Sequence, residues 1–302
     1  MSAGVWYGIA AYAIWGTFPL YWRLFAHVPT MQVLGHRIVW SFVALTAIVL
    51  GLRGPAALRG ISRRVLAAYA IAAVLIGVNW FLYVWGVNAG LVVETSLGYF
   101  VTPLLSVLLG VFVFRERLRR LQWIAVGLAA AGVGYLTVAY GALPWLALGL
   151  ALTFGSYGLV KKRAPLGSLE GLTLETAILF VPATIYLLVV ATGGQGAFLH
   201  NGTRTDLLLI GGGLVTIGPL LLFASSVQRV PLSVVGILQY ISPTIQFLLG
   251  VFVLGEPFSR TQFIGFAIVW TAIVLFAIDG LRARRVRLPG PEGRRMPPAL
   301  ER

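Results

Sequence analysis

Apolar and polar positions along the chain form a series of apolar runs of about twenty residues, separated by short polar links. A helix rising 1.5 Å per residue needs about 20 apolar residues to cross the roughly 30 Å hydrocarbon layer of a bilayer. Ten such runs are present, at 4–23, 32–52, 65–87, 91–114, 121–140, 144–161, 170–192, 206–227, 232–254 and 261–281. Residues 65–87 and 91–114 are apolar on all sides, which excludes a membrane β-barrel, whose strands alternate in polarity over about ten residues. Links such as Asn88, Ala89 and Gly90, or Gly141, Ala142 and Leu143, are very short and force neighbouring helices to run antiparallel. The pattern predicts an all-α polytopic membrane protein of ten transmembrane helices.

Composition strengthens that reading and removes several others. Of 302 residues 59% are hydrophobic and 11% charged, less than half the roughly 25% of a soluble domain, and the mean hydropathy is +0.90. An ordinary soluble enzyme is excluded. A net charge of +14 would suit nucleic acid only if the basic residues shared one exposed face; here they sit in clusters between apolar runs. With the N-terminus inside, 19 basic residues fall on the inner side, Arg23, Arg204 and Arg260 on the outer side, and Arg37 within a span. Lys and Arg are retained on the cytoplasmic side, so both termini are expected there. The first run lacks the basic lead and cleavage pattern of a signal peptide and is read as the first span. Residues 282–302, rich in Arg and Pro, read as a disordered basic tail. No cysteine is present, and the three histidines lie at 27, 36 and 200, so no metal site or cofactor is expected. Gly211 to Gly213 resemble a phosphate loop only superficially, since they lie inside an apolar run without the required Lys.

The chain also repeats itself. At an offset of 140, residues 103–124 lie over 243–264 with eleven identities, including Pro103/Pro243, Glu116/Glu256, Arg120/Arg260 and Gln122/Gln262. An offset of 139 sets Trp15 to Phe18 against Phe154 to Tyr157, and His36 and Arg37 against Glu175 and Thr176. Each half carries five spans, an odd number, so the second half must enter the membrane inverted. The domains predicted are a first five-helix repeat at 1–140, a second, inverted one at 141–281, and the tail at 282–302. Such inverted pairs are a transporter architecture, with substrate bound near the midplane.

At this point particular residues resemble a known family. The stretch from Ala11 to Gly16 with Pro19, His36 to Ser41, Asn79 to Tyr83, Glu94 to Phe100, Glu175 with Thr176, and Gln239 to Thr244 are similar to the drug/metabolite transporter superfamily with paired EamA-type domains, and within it to the RarD subfamily. Thr102 departs from the subfamily pattern, which favours Asn before the proline. The resemblance covers the chain to about Asp279. It implies a multi-pass carrier of the bacterial inner membrane, exporting small organic metabolites or drugs, with no defined substrate.

Charges inside a membrane cost roughly 2.5–3.5 kcal/mol and commonly mark function. Arg37 and His36 near the outer end of the second run, and Glu175 near the inner end of the seventh, are therefore candidates for gating or substrate binding. Each is only about 8 Å deep by helical rise, so interfacial solvation is the competing explanation, and a direct Arg37–Glu175 pair is not expected. Arg37 suits an anionic or zwitterionic, amino-acid-like substrate through a bidentate carboxylate contact. Glu175 and Glu94 are the candidates for proton coupling, although Glu94 at a helix start also suits the helix dipole. Asn79 and Tyr83 share a helix face. With Trp80, Tyr99, Gln239 and Tyr240 they form a polar and aromatic set expected to line a pocket. Pro19, Pro103 and Pro243 are candidate helix breaks; the last two free the carbonyls of Tyr99 and Gln239. Trp6, Tyr7, Trp22 and Trp145 read as interfacial aromatics, and Gly110, Gly127, Gly132, Gly134 and Gly211 to Gly213 as close-packing positions.

The function these features support is a secondary-active carrier of small drug-like or amino-acid-like solutes in contact with membrane lipids and no nucleic acid. The oligomeric state is left open, a monomer being sufficient. An intramembrane lipid-modifying enzyme would need paired carboxylates or a metal set, which the runs lack, and a non-transporting scaffold or channel would not require matched halves.

Overall fold

The computed structural model describes residues 2–89, 92–141, 145–253, 255 and 259–287. Over these the chain is helical. The helices are α1 (Ala3–Trp22), α2 (Thr30–Arg53), α3 (Arg63–Asn88), α4 (Val92–Phe114), α5 (Arg120–Tyr140), α6 (Trp145–Arg163), α7 (Ser168–Thr192), α8 (Thr203–Arg229), α9 (Leu232–Gln239), α10 (Ile241–Leu248) and α11 (Arg260–Arg287). Among the described residues seven segments are long and apolar enough to cross a bilayer, namely α2, α3, α5, α7, α8, the stretch 232–253 and α11, and 98–114 of α4 is a shorter apolar helix.

Local chemistry sets the ends. Gly54 and Gly141 follow α2 and α5 at φ 71° and 68°, the left-handed region open to glycine without a Cβ clash. Gln122 accepts the Arg119 N–H through Oε1 at 2.9 Å, and Gln262 accepts the Ser259 N–H at 2.9 Å. The glutamine shared by the two repeat copies thus caps a helix start in each, satisfying an amide the helix leaves unpaired.

Two sequence expectations are corrected here. The run 232–254 is not one helix: it breaks at Tyr240 between α9 and α10, and ends in a π-helical turn, Leu249–Val253. Pro243 offers no N–H to the Gln239 carbonyl and its ring crowds it. Pro103, its repeat counterpart, lies inside an uninterrupted α4. At the other end, α11 continues to Arg287, six residues past the expected limit of 281; 288–302 fall outside the described residues.

Side-to-side packing is reciprocal. With α6, α7, α8, α9–α10 and α11 set in order against α1 to α5, α1 on α8 is matched by α3 on α6, α2 on α8 by α3 on α7, and α4 on α6 by α1 on α10, while α2 meets α7, α4 meets α9 and α5 meets α11. Large apolar side chains such as Phe112 and Val138, 73% and 82% exposed, face outward. Lipid removes the hydrophobic drive between helices, so contact depends on close approach of small residues. At Gly213 an added Cβ would stand 2.6 Å from Trp40 Cβ and 2.7 Å from the Ser41 N, which seats α8 directly on the α2 backbone. Gly110, Gly132 and Gly211 likewise face neighbouring helices or loops. Gly127 and Gly134 do not: nothing lies within 4 Å of their built Cβ, which corrects their reading as packing positions.

The links α2–α3, α4–α5, α6–α7 and α8–α9 meet at one end of the bundle, joined by Arg53–Glu170, Tyr69–Leu166, Glu116–Leu232 and Lys162–Val230 contacts. This is called the basic end below. At the opposite end the α1–α2 and α7–α8 links meet, with Gln32 Nε2 donating to the Gln195 carbonyl at 2.8 Å.

Candidate functional site

A cavity of about 190 Å³ opens between the two sets of helices. Tyr12, Trp15, Phe18, Pro19 and Trp22 of α1, Arg37 of α2, Asn79, Trp80 and Tyr83 of α3, and Tyr99 and Thr102 of α4 line one side; Phe154 of α6, Leu220 of α8, and Gln239, Ser242 and Gln246 of α9–α10 line the other. Helical spacing explains the α1 contribution, since Tyr12, Trp15, Pro19 and Trp22 recur every three or four residues on one face.

Among the described residues Arg37 is the only charged side chain in this lining. Its guanidinium carbon lies 4.5 Å from the Trp22 ring centroid and 5.0 Å from that of Trp80, within cation–π reach. Its Nε donates to Thr216 Oγ1 at 3.0 Å. Among the described residues the ion pairs are Arg53–Glu170, Arg119–Asp279 and Lys161–Glu175, so no carboxylate there is paired with Arg37. Asn79 Nδ2 donates to the Leu150 carbonyl and to Thr153 Oγ1, both at 2.9 Å. Tyr83 and Tyr99 meet edge to face at 5.9 Å. Gln239 donates to Ser106 Oγ at 3.0 Å through Nε2, while its buried Oε1 and the buried Tyr12 hydroxyl are left without hydrogen-bond partners among the described residues.

Of the residues singled out by sequence, Arg37, Asn79, Trp80, Tyr83, Tyr99, Gln239 and Pro19 come together at this cavity. Five others lie elsewhere, Glu175 among them. Tyr240 is 1% exposed and donates from its hydroxyl to the Phe100 carbonyl at 3.2 Å, within the α4–α11 core. His36, adjacent to Arg37 but on another face, packs on Phe198 with ring centroids 5.0 Å apart. Pro103 and Pro243 are outside the lining. The side chain of Glu94 lies outside the described residues. Trp22 corrects its reading as an interfacial aromatic, because it covers the Arg37 guanidinium. Trp15 and Phe154, set against each other by the repeat, meet edge to face at 6.1 Å; that alignment was a sequence signal for both. Tyr12, like Trp15, fell in the family-like stretch Ala11 to Gly16, and Gln246 carried no signal.

Glu175 is buried towards the basic end. Lys161 Nζ donates to its Oε1 at 2.6 Å and Tyr157 Oη to its Oε2 at 2.9 Å. Lys161 is fully buried, which corrects its place among the loop charges. Lys162 donates to the Val230 carbonyl at 2.6 Å, and Glu116 accepts the Leu232 and Ser233 N–H groups at 2.7 and 2.9 Å. Glu116 thereby caps α9, where unpaired amides favour an anion. Among the described residues no cluster of three or more His, Asp or Glu could hold a metal ion.

Comparison with known proteins fits this architecture. The model of the EamA-like transporter family matches the chain twice, at residues 2–138 and 143–278. The chain is 46% identical to Protein RarD of Streptomyces exfoliatus over 94% of its length and 91% of that protein. It is 44% identical to the uncharacterized transporter YojE of Bacillus subtilis (strain 168), over 93% and 96%, and 39% identical to Protein RarD of Escherichia coli (strain K12), over 93% and 96%. One solved crystal structure shares the fold at a TM-score of 0.71 and 18% identity, covering 93% of this chain and 99% of its own. The family is one of multi-pass membrane transporters rather than of enzymes, and this chain belongs to the EamA-like transporter family.

Proposed function

We propose that the chain is a secondary-active carrier that exports small organic solutes across the bacterial inner membrane by alternating access. The observation that carries this reading is a small cavity walled by both sets of helices and lined, among the described residues, by one arginine, amides and aromatic rings. Ten spans as two inverted five-helix repeats, divided at about residue 140, are supported by the reciprocal packing and by the two family matches at 2–138 and 143–278. In this reading the Arg53–Glu170 pair, the Tyr69–Leu166 contact and the Glu116 cap, each joining the two sets, close the basic end, and that end is cytoplasmic by its charge. The cavity then faces outward. Rocking the two sets of helices would open the basic end and close the other.

Glu175 is also the carboxylate best placed to couple protons, because it is buried on α7 towards the basic end, held by Lys161 and Tyr157. Reconstituted protein should exchange internal for external labelled substrate, and an imposed pH gradient should accelerate net flux. Transport indifferent to the gradient, with Glu175→Gln at full rate, would remove the coupling role. Equal flux through protein cross-linked in one orientation would remove alternating access itself.

A further inference from the structure

The geometry at Arg37 points to a substrate class: we propose that the cavity takes planar aromatic monocarboxylates, in preference to amino acids or cations. The inference rests on reading this cavity as the transport site.

An arginine presents five N–H donors and no acceptor. Here Nε is taken by Thr216, and Trp22 and Trp80 hold the guanidinium by their ring faces. Among the described residues no acceptor is bonded to the terminal nitrogens and no carboxylate is paired with them. A carboxylate fills such a fork with two parallel hydrogen bonds. Among the described residues the cavity lining contains no Asp or Glu. The ammonium of an amino acid would therefore lose its hydration without meeting an opposite charge, and a cation would add like charge to the field of Arg37.

Two further observations set the body of the ligand. At about 190 Å³ the cavity falls below the roughly 300–1,000 Å³ of drug-sized pockets, so one or two rings fit. Its walls are aromatic, with Trp15, Trp22, Trp80 and Phe154 offering faces and edges for stacking.

The test is a set of four compounds sharing one ring, titrated calorimetrically into purified full-length protein: 4-hydroxybenzoate, 4-hydroxybenzamide, tyrosine and tyramine. The carboxylate should bind at least tenfold more tightly than the amide and than tyrosine, with tyramine weakest. Arg37→Lys should narrow the carboxylate-to-amide ratio. Equal affinity for the amide or for tyrosine, or no binding of the carboxylate, overturns the assignment, and this series needs no variant to fold. Exchange of labelled 4-hydroxybenzoate in proteoliposomes separates the two readings. Selective binding without exchange upholds the ligand class and defeats the carrier, whereas exchange of tyrosine in preference to the carboxylate upholds the carrier and overturns the ligand class.

Discussion

Lys161 and Glu175 form an ion pair of 2.6 Å with side-chain exposures of 0% and 1%, the most deeply buried charges among the described residues. Such a pair is weak support for stability as a whole, because desolvating both ions offsets their attraction, but removing one partner leaves a buried charge uncompensated. Lys161→Met should therefore destabilise by about 3–5 kcal/mol, and Lys161→Met with Glu175→Leu should recover most of that loss. Thermal unfolding in detergent of the two singles and the double gives the coupling directly. Additive losses would mean that the two charges act independently.

Glu116 and Ser233 belong to opposite sets of helices, and their contact gives a second prediction. Glu116→Ala removes the acceptor of two amides at the start of α9, a loss of about 1–2 kcal/mol by analogy with other helix caps. The chain has no cysteine, so Ser233→Cys is a unique labelling site in an otherwise unreactive background. Its thiol should react several-fold faster with a water-soluble maleimide when Glu116 is Ala than when it is Glu. An unchanged rate would show that the cap does not hold the basic end closed.

Glycines that look alike in sequence should behave differently. Gly213→Ala places a Cβ 2.7 Å from the Ser41 N, against backbone that cannot yield, and overpacking of this kind costs typically about 1–3 kcal/mol. Gly127→Ala and Gly134→Ala meet nothing within 4 Å and should fall within about 0.5 kcal/mol of the parent. Unfolding temperatures of the three variants decide it. An effect of equal size at all three would contradict the packing described for α2 and α8.

Orientation is open to a direct check. A reporter active only in the cytoplasm, fused after Arg302, should be active. A cysteine introduced between α7 and α8, for instance Asn201→Cys, should react with an impermeant reagent applied outside intact cells. The reverse pattern would turn the bundle over and place the cavity mouth on the inner side.

Spans, the repeat and the isolated Arg37 could be read from the sequence because each depends on the local average polarity of about twenty residues, or on identities at one fixed offset. Helix ends are set locally too, by Gly54, Gly141, Gln122 and Gln262, whose effects reach no further than one turn. The partners of each side chain could not be read so. Arg37 meets Thr216 across 179 residues of sequence, and Ser233 meets Glu116 across 117. Trp22 looked like an interfacial ring and became one wall of the arginine site, while Lys161 looked like a loop charge and became the counter-ion of Glu175. Hydropathy fixes that a helix lies in lipid but not which of its faces meets which neighbour. That choice is made by close approach at small residues such as Gly213 and by pairing of charges that lipid will not solvate, and both come into being only when distant helices pack.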